Sequence, residues 1–160
     1  EILRCLVGSE MCIRDRVMDT YSFGYSSSGF TDMPMNHKVF LAQFDAIKKL
    51  ASEGPCVMVG RCADYALSEY KDCFSVFVHA DTDWRINRLS QKHNKTAKEA
   101  KDMINKTDKS RSSYYNYYTN KKWGAASSYN LCVDSSKLGI DGAAKAIIQA
   151  IEIFDSIKNK

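Results

Sequence analysis

Residues 54–65, GPCVMVGRCADY, constrain the fold of this chain more than any other stretch. Cys56, Val57, Met58 and Val59 form a continuous apolar run rather than an alternating one, the pattern of a parallel strand buried on both faces. Upstream, Phe40, Phe44, Ile47, Leu50 and Ala51 recur at three- and four-residue steps, which predicts an amphipathic helix. Asn36 is placed to cap its start, and Gly54 with Pro55 to stop its end. The expected order is therefore helix, tight turn, buried strand over 56–60, then Gly60-Arg61. In an open parallel sheet the carboxyl ends of the strands face the ligand crevice, so a guanidinium placed there at Arg61 can fork onto a phosphate.

The 160 residues, 44% of them hydrophobic, suffice for one domain with a core and fall short of two ordinary ones. A formal charge of +4 is too weak to argue for a membrane or nucleic-acid partner, though it suits an anionic nucleotide. None of the six cysteines makes a C-x-x-C pair, which fits a reducing cytoplasm better than a disulfide framework or a zinc site. No apolar run approaches the roughly 18 residues of a membrane span. The N-terminal apolar stretch is broken by Arg4, Gly8 and Glu10, unlike a signal peptide.

Beyond Arg61, residues 63–70 predict a short helix and 73–79 a second buried strand. Asp81 or Thr82 then caps a helix carrying Trp84, Ile86 and Leu89, with Arg85 and Arg88 among them. Arg85 taken alone reads as part of a solvated face. His79 and His93 lack partners at metal-ligand spacing. Over 96–106, Thr96 and Glu99 make a capping box, with Ala97, Ala100, Met103 and Ile104 as apolar positions. Asp108 and Arg111 lie one helical turn apart, with Lys106 near if the helix continues; the bland alternative is a surface ion pair worth less than about 1 kcal/mol. Tyr114, Tyr115, Tyr117, Tyr118 and Trp123, interleaved with Lys121 and Lys122, offer a stacking platform for single-stranded nucleic acid. The spacing of Tyr114 with Tyr117 or Tyr118 favours instead a stripe packed on the body of the domain. A last strand over 130–134 and a closing amphipathic helix over 140–157, with Ala144, Ile147, Ile148, Ile151 and Phe154, complete the chain.

GPCVMVGRCAD preceded by a helix with Gln43, TDKSR at 107–111, and LCVDSSKLGIDG at 131–142 together resemble the cytidylate kinase-like family of nucleoside monophosphate kinases, from about Val17 to the C-terminus. The resemblance implies an α/β, P-loop NTPase-like fold: a three-layer parallel sheet with flanking helices, here with strands at 56–60, 74–79 and 130–134. It implies transfer of the γ-phosphoryl group of ATP, with Mg2+, to CMP or a related pyrimidine monophosphate, with small-molecule nucleotides as the partners. By the same resemblance Gly60 and Arg61 hold the acceptor's phosphate and Asp64 its base or sugar. Arg88 contacts the donor nucleotide, and Lys106 and Arg111 meet the transferring group while Asp108 steers Arg111, in a lid over about 93–123. One departure bears on specificity. In the pattern of true cytidylate kinases an aspartate directly follows the arginine, whereas here Cys62 and Ala63 intervene and leave the acceptor base open.

The family opens with a strand and a glycine-rich loop, whose backbone N–H groups and lysine cradle the ATP phosphates. Residues 24–31, GYSSSGFT, have the two glycines of such a loop but place Phe30 where the lysine belongs, and read as a decoy in a segment over the acceptor nucleotide. Residues 1–16 show no sustained period, and 6–16 resemble sequencing-adapter read-through, so 1–16 are expected to be non-native and 17–160 a kinase-like fragment without its first strand and P-loop. Such a chain is expected to be inactive. The alternative function is a non-catalytic module that binds nucleotide or single-stranded nucleic acid.

Overall fold

The computed structural model describes residues 35–158, in two units that divide between Lys71 and Asp72. The expectations for residues 1–34, including the non-native segment and the 24–31 loop, lie outside the described residues.

In the first unit, helix α1 spans Met35–Glu53, two residues earlier than the Asn36 cap implies, and stops before Gly54 as expected. Phe40, Gln43 and Ile47 are buried along one stripe at three- and four-residue steps, and the Phe40 and Phe44 rings pack 5.9 Å apart. Phe44 meets Tyr65 of the short helix α2 (Ala63–Ala66), ring to ring at 6.2 Å. Only four residues of the expected 63–70 helix form; Leu67 onward is turn.

The strand over 56–60 does not form. Residues 55–59 carry no regular structure, and burial alternates along them: Cys56 and Met58 are half-buried, whereas Val57 and Val59 are exposed, Val59 at 74%. The segment is covered on one side only. Apolar composition marks a segment able to enter a sheet, but only a neighbouring strand can satisfy its N–H and C=O groups and cover its second face. The segment ends in a left-handed turn, with φ of 72° at Gly60, 57° at Arg61 and 56° at Cys62. The amide of Ala63 donates back to the Gly60 carbonyl at 3.1 Å.

The second unit holds a parallel pair, β1 (Val76–His79) and β2 (Leu131–Asp134), with Val76 opposite Leu131 and His79 opposite Asp134. Among the described residues the sheet has these two strands, so the three-layer sheet expected from sequence is not seen. Nor are both faces of β1 covered, since Val78 stays 52% exposed. A side-chain clamp precedes the pairing. The Asn130 side-chain oxygen accepts from both the amide and the hydroxyl of Ser75, each at 2.8 Å, and the Asn130 amide donates to the Ser75 hydroxyl at 3.1 Å.

Between the strands lie α3 (Thr82–His93) and α4 (Ala97–Thr119). Asp81 is the N-cap of α3, without the side-chain capping bond expected of it; its amide donates to the Ser136 hydroxyl instead. At α4 the capping box forms as the sequence predicts: Glu99 N–H donates to the Thr96 hydroxyl, and Thr96 N–H to the Glu99 carboxylate at 2.9 Å. The helix then runs unbroken through TDKSR and the tyrosines. Ala100, Ile104, Tyr115 and Thr119 form its buried stripe. Tyr114 and Tyr118, half-buried, pack on each other at 4.8 Å, and Tyr117 points out, 77% exposed.

After α4, Trp123 and Tyr129 pack around Phe77 at 5.4 and 5.0 Å. Gly124 sits so close that a Cβ there would stand 3.2 Å from the Phe77 ring, and its φ of +75° also suits glycine. Helix α5 (Ser135–Lys158) closes the unit, broken at Gly139 (φ 69°, ψ 176°), so its regular part begins at Ile140 as the periodicity predicts. Phe154 packs on Phe74 at 5.2 Å, and Lys158 pairs with Asp72. Ala143 is its buried residue, whereas Ala144 and Ile148, expected on the apolar face, are exposed.

Candidate functional site

The stronger site lies between α3 and α4. The rise of an α-helix brings residues at i, i+3 and i+7 onto one face, and on α3 those positions are Arg85, Arg88 and Lys92. Together with Trp84, Ile104, Thr107 and Arg111 they line a cleft of about 350 Å³, which among the described residues no Asp or Glu side chain lines. Three arginines and a lysine thus converge on one concavity.

Asp108 ties this cleft together. Arg85 donates to both of its carboxylate oxygens, from Nη1 at 2.7 Å and Nη2 at 2.9 Å, a bidentate pair that bridges the two helices. Arg111 Nη1 stands 3.8 Å from the same carboxylate. Asp108 thus meets the arginine that its i,i+3 spacing indicates and a second, closer one from another helix, which local spacing does not show. Arg85, read as a solvated face, is half-buried in this pair. Its signal was the 85, 88, 92 stripe rather than Arg85 alone. Arg88, expected at the donor nucleotide, lines the cleft, with its guanidinium carbon 5.3 Å from the centre of the Trp84 ring. Lys106 does not join it. On the continuous helix Lys106 faces solvent and is not among the lining residues.

A second, smaller cavity of about 210 Å³ adjoins Trp84 and is lined also by Asp81, Asp83, Ser136 and Lys137. It lies just past the carboxyl ends of β1 and β2, where open α/β sheets place their ligands. The Ser136 amide and hydroxyl both donate to Asp134, and these bonds hold its carboxyl below the ordinary carboxylate range.

In the first unit, Gly60, Arg61 and Asp64 stay together on one turn. Arg61 is exposed, and a left-handed turn rather than a strand end places it. Asp64 sits in the first turn of α2. The buried Cys62 thiol is pushed up to about 11, first by desolvation, then by the Asp64 charge, with Arg61 opposing. It is a neutral, packed thiol at physiological pH.

Among the described residues no three His, Cys, Asp or Glu side chains are grouped to hold a metal ion. No helix among them is long and apolar enough to cross a membrane.

The second unit is thus of the α/β class, a parallel strand pair flanked by helices, with a basic cleft between α3 and α4. The sequence matches the cytidylate kinase-like family over residues 7–137, most of the chain, and the protein belongs to that family. The matched residues begin at 7 rather than about 17. A crystal structure of an uncharacterized protein from Eubacterium ventriosum is similar, with a TM-score of 0.69 and 28% identity over 94% of this chain and 79% of that one. No curated protein matches the sequence significantly.

Proposed function

We propose that this protein serves the chemistry of a nucleoside monophosphate kinase, in which the α3–α4 cleft takes the phosphates of ATP and the Arg61 turn takes the monophosphate of CMP or a related pyrimidine nucleotide. One observation carries the reading: Arg85, Arg88, Lys92 and Arg111 share a single cleft, and no carboxylate lines it among the described residues. In the transfer, the bond from the donor's β-phosphate bridging oxygen to the γ-phosphorus breaks and a phosphate oxygen of the acceptor bonds to that phosphorus, giving two diphosphates. Little covalent chemistry falls to the protein. Cations that meet the equatorial oxygens of the transferring group, and a geometry that holds the reactants in line, supply most of the catalysis. Arg111, loosely held at Asp108, is the cation suited to that task, with Arg85 fixing Asp108 in place. Arg88 would lie along the donor, whose base would occupy the smaller cavity at the strand ends. Magnesium bound with ATP would supply charge neutralisation at the phosphates, and among the described residues no three His, Cys, Asp or Glu side chains are grouped to hold it.

A second reading has its own observation. The 160-residue sequence contains no G-x-x-x-x-G-K-[ST], so no lysine and backbone nest for the β- and γ-phosphates can be named. Binding without transfer is the consequence for this polypeptide. Calorimetric titration with ATP, CMP and an oligonucleotide at two salt concentrations, followed by a coupled kinase assay, tests both readings. Saturable ATP binding that weakens in Arg85→Ala and Arg111→Ala supports the cleft. Turnover on the order of 1 per second or faster would refute binding without transfer, and tight, steeply salt-dependent oligonucleotide binding would displace the nucleotide reading.

A further inference from the structure

The two α3 arginines in the cleft are held by different physics. Arg85 is fixed by a carboxylate, which satisfies two of its donors and offsets its charge. Arg88, one turn further along, pairs with no carboxylate among the described residues; the contact found for it is the Trp84 ring, 5.3 Å from its guanidinium carbon. Trp84 and Arg88 are i,i+4 neighbours, the spacing at which helical side chains meet. A ring orients a cation through its quadrupole without cancelling the charge. Trp84 is moreover a wall of both cavities.

We infer that Trp84 is a positioning residue for the anion cleft, holding the Arg88 guanidinium over it with its full charge available to a polyphosphate. This rests on the reading of the cleft as an anion site. Because the ring acts through Arg88, its removal should matter only while Arg88 is present. An aliphatic residue at 84 would leave Arg88 to sample its rotamers in solvent, and each phosphate contact would then require ordering the side chain anew.

The test is a double-mutant cycle on the full chain, with inorganic triphosphate as probe and calorimetry as readout, each variant checked by circular dichroism. Trp84→Ala is expected to weaken triphosphate binding about fivefold, and Trp84→Phe, which keeps a ring, to stay within about twofold of wild type. Arg88→Ala weakens binding too, and adding Trp84→Ala to it should change nothing further. Unchanged binding in Trp84→Ala overturns the inference alone, as does the same loss from Trp84→Ala with and without Arg88. A Trp84→Ala chain that fails to fold leaves the decision to Trp84→Phe in the two Arg88 backgrounds: loss in both overturns it. No triphosphate binding by wild type overturns the cleft reading and this inference with it.

Discussion

Residues 55–62 and residues 96–111 carry equally strong sequence signals, yet one forms what its signal implies and the other does not. At 96–111 the information is local. Thr96 and Glu99 satisfy each other's backbone donors within one turn, and the helix they start continues across Asp108 and Arg111. At 55–62 the apolar run specifies only a readiness to pair, and the partner has to come from elsewhere in the chain. With no sheet neighbour among the described residues, the segment keeps the one-sided burial of a strand without forming one, and it ends in three left-handed residues.

The sharpest way to break the comparison is in the packed core of the second unit. Tyr115→Ala removes a buried ring that lies 6.3 Å from the Tyr129 ring. It should lower stability by about 3 kcal/mol, read as a drop in the urea midpoint. A loss below about 1 kcal/mol would mean that α4 is held by its local signals alone.

Arg61→Gly acts on the other region and in the opposite direction. A non-glycine residue in the left-handed region costs about 1–2 kcal/mol, so glycine there should raise stability by about 1 kcal/mol while phosphate binding at the turn is lost. Destabilisation in a thermal melt would say that residue 61 sits in an extended strand after all. Arg61→Ala separates the two effects: it loses the guanidinium without relieving the turn, so CMP binding should fall with little gain in melting temperature.

Thr96→Ala tests the local signal itself. Loss of the capping hydroxyl should cost about 1 kcal/mol in chemical denaturation, with amide exchange quickening in the first turn of α4 and not at Tyr115. The smallest effect is the acid dependence of the same cap. Hydrogen bonds from the backbone and side chain of Thr96 hold the Glu99 carboxyl below its ordinary value of 4.5. Its contribution is therefore present above about pH 4.5 and lost as pH falls through the depressed folded value. Glu99→Gln keeps the capping geometry but should flatten the stability profile over that range. The slope that remains belongs to carboxylates such as Asp134, lowered by Ser136 and titrating in the same sense. A profile as steep in Glu99→Gln as in wild type would detach the cap from acid unfolding.

What was legible in the sequence follows the same division. The periodicity of α1, the box at Thr96, the strands ending at His79 and Asp134 and the helix from Ile140 are all patterns of near neighbours. The pairing of Arg85 with Asp108 was not legible, because it joins two helices across 23 positions and neither residue has a local feature that names the other. Trp84 was hidden differently. Its spacing suited a core position, and only the cavities on its flanks give it another role.

The Ser75–Asn130 clamp bears on how fast this fold is reached. It joins residues 55 apart, just where the parallel strands begin, so the strands cannot register before a loop of that length has closed. Closure of such a loop costs roughly 3–4 kcal/mol of chain entropy before any ladder bond returns it. Helices α3 and α4 form inside that loop from local contacts, which makes them early and the sheet late. A contact made late is largely absent from the folding transition state, so weakening it speeds unfolding and leaves folding almost unchanged. Asn130→Ala therefore shortens the lifetime of the native state: the protein reaches its fold as before and leaves it sooner.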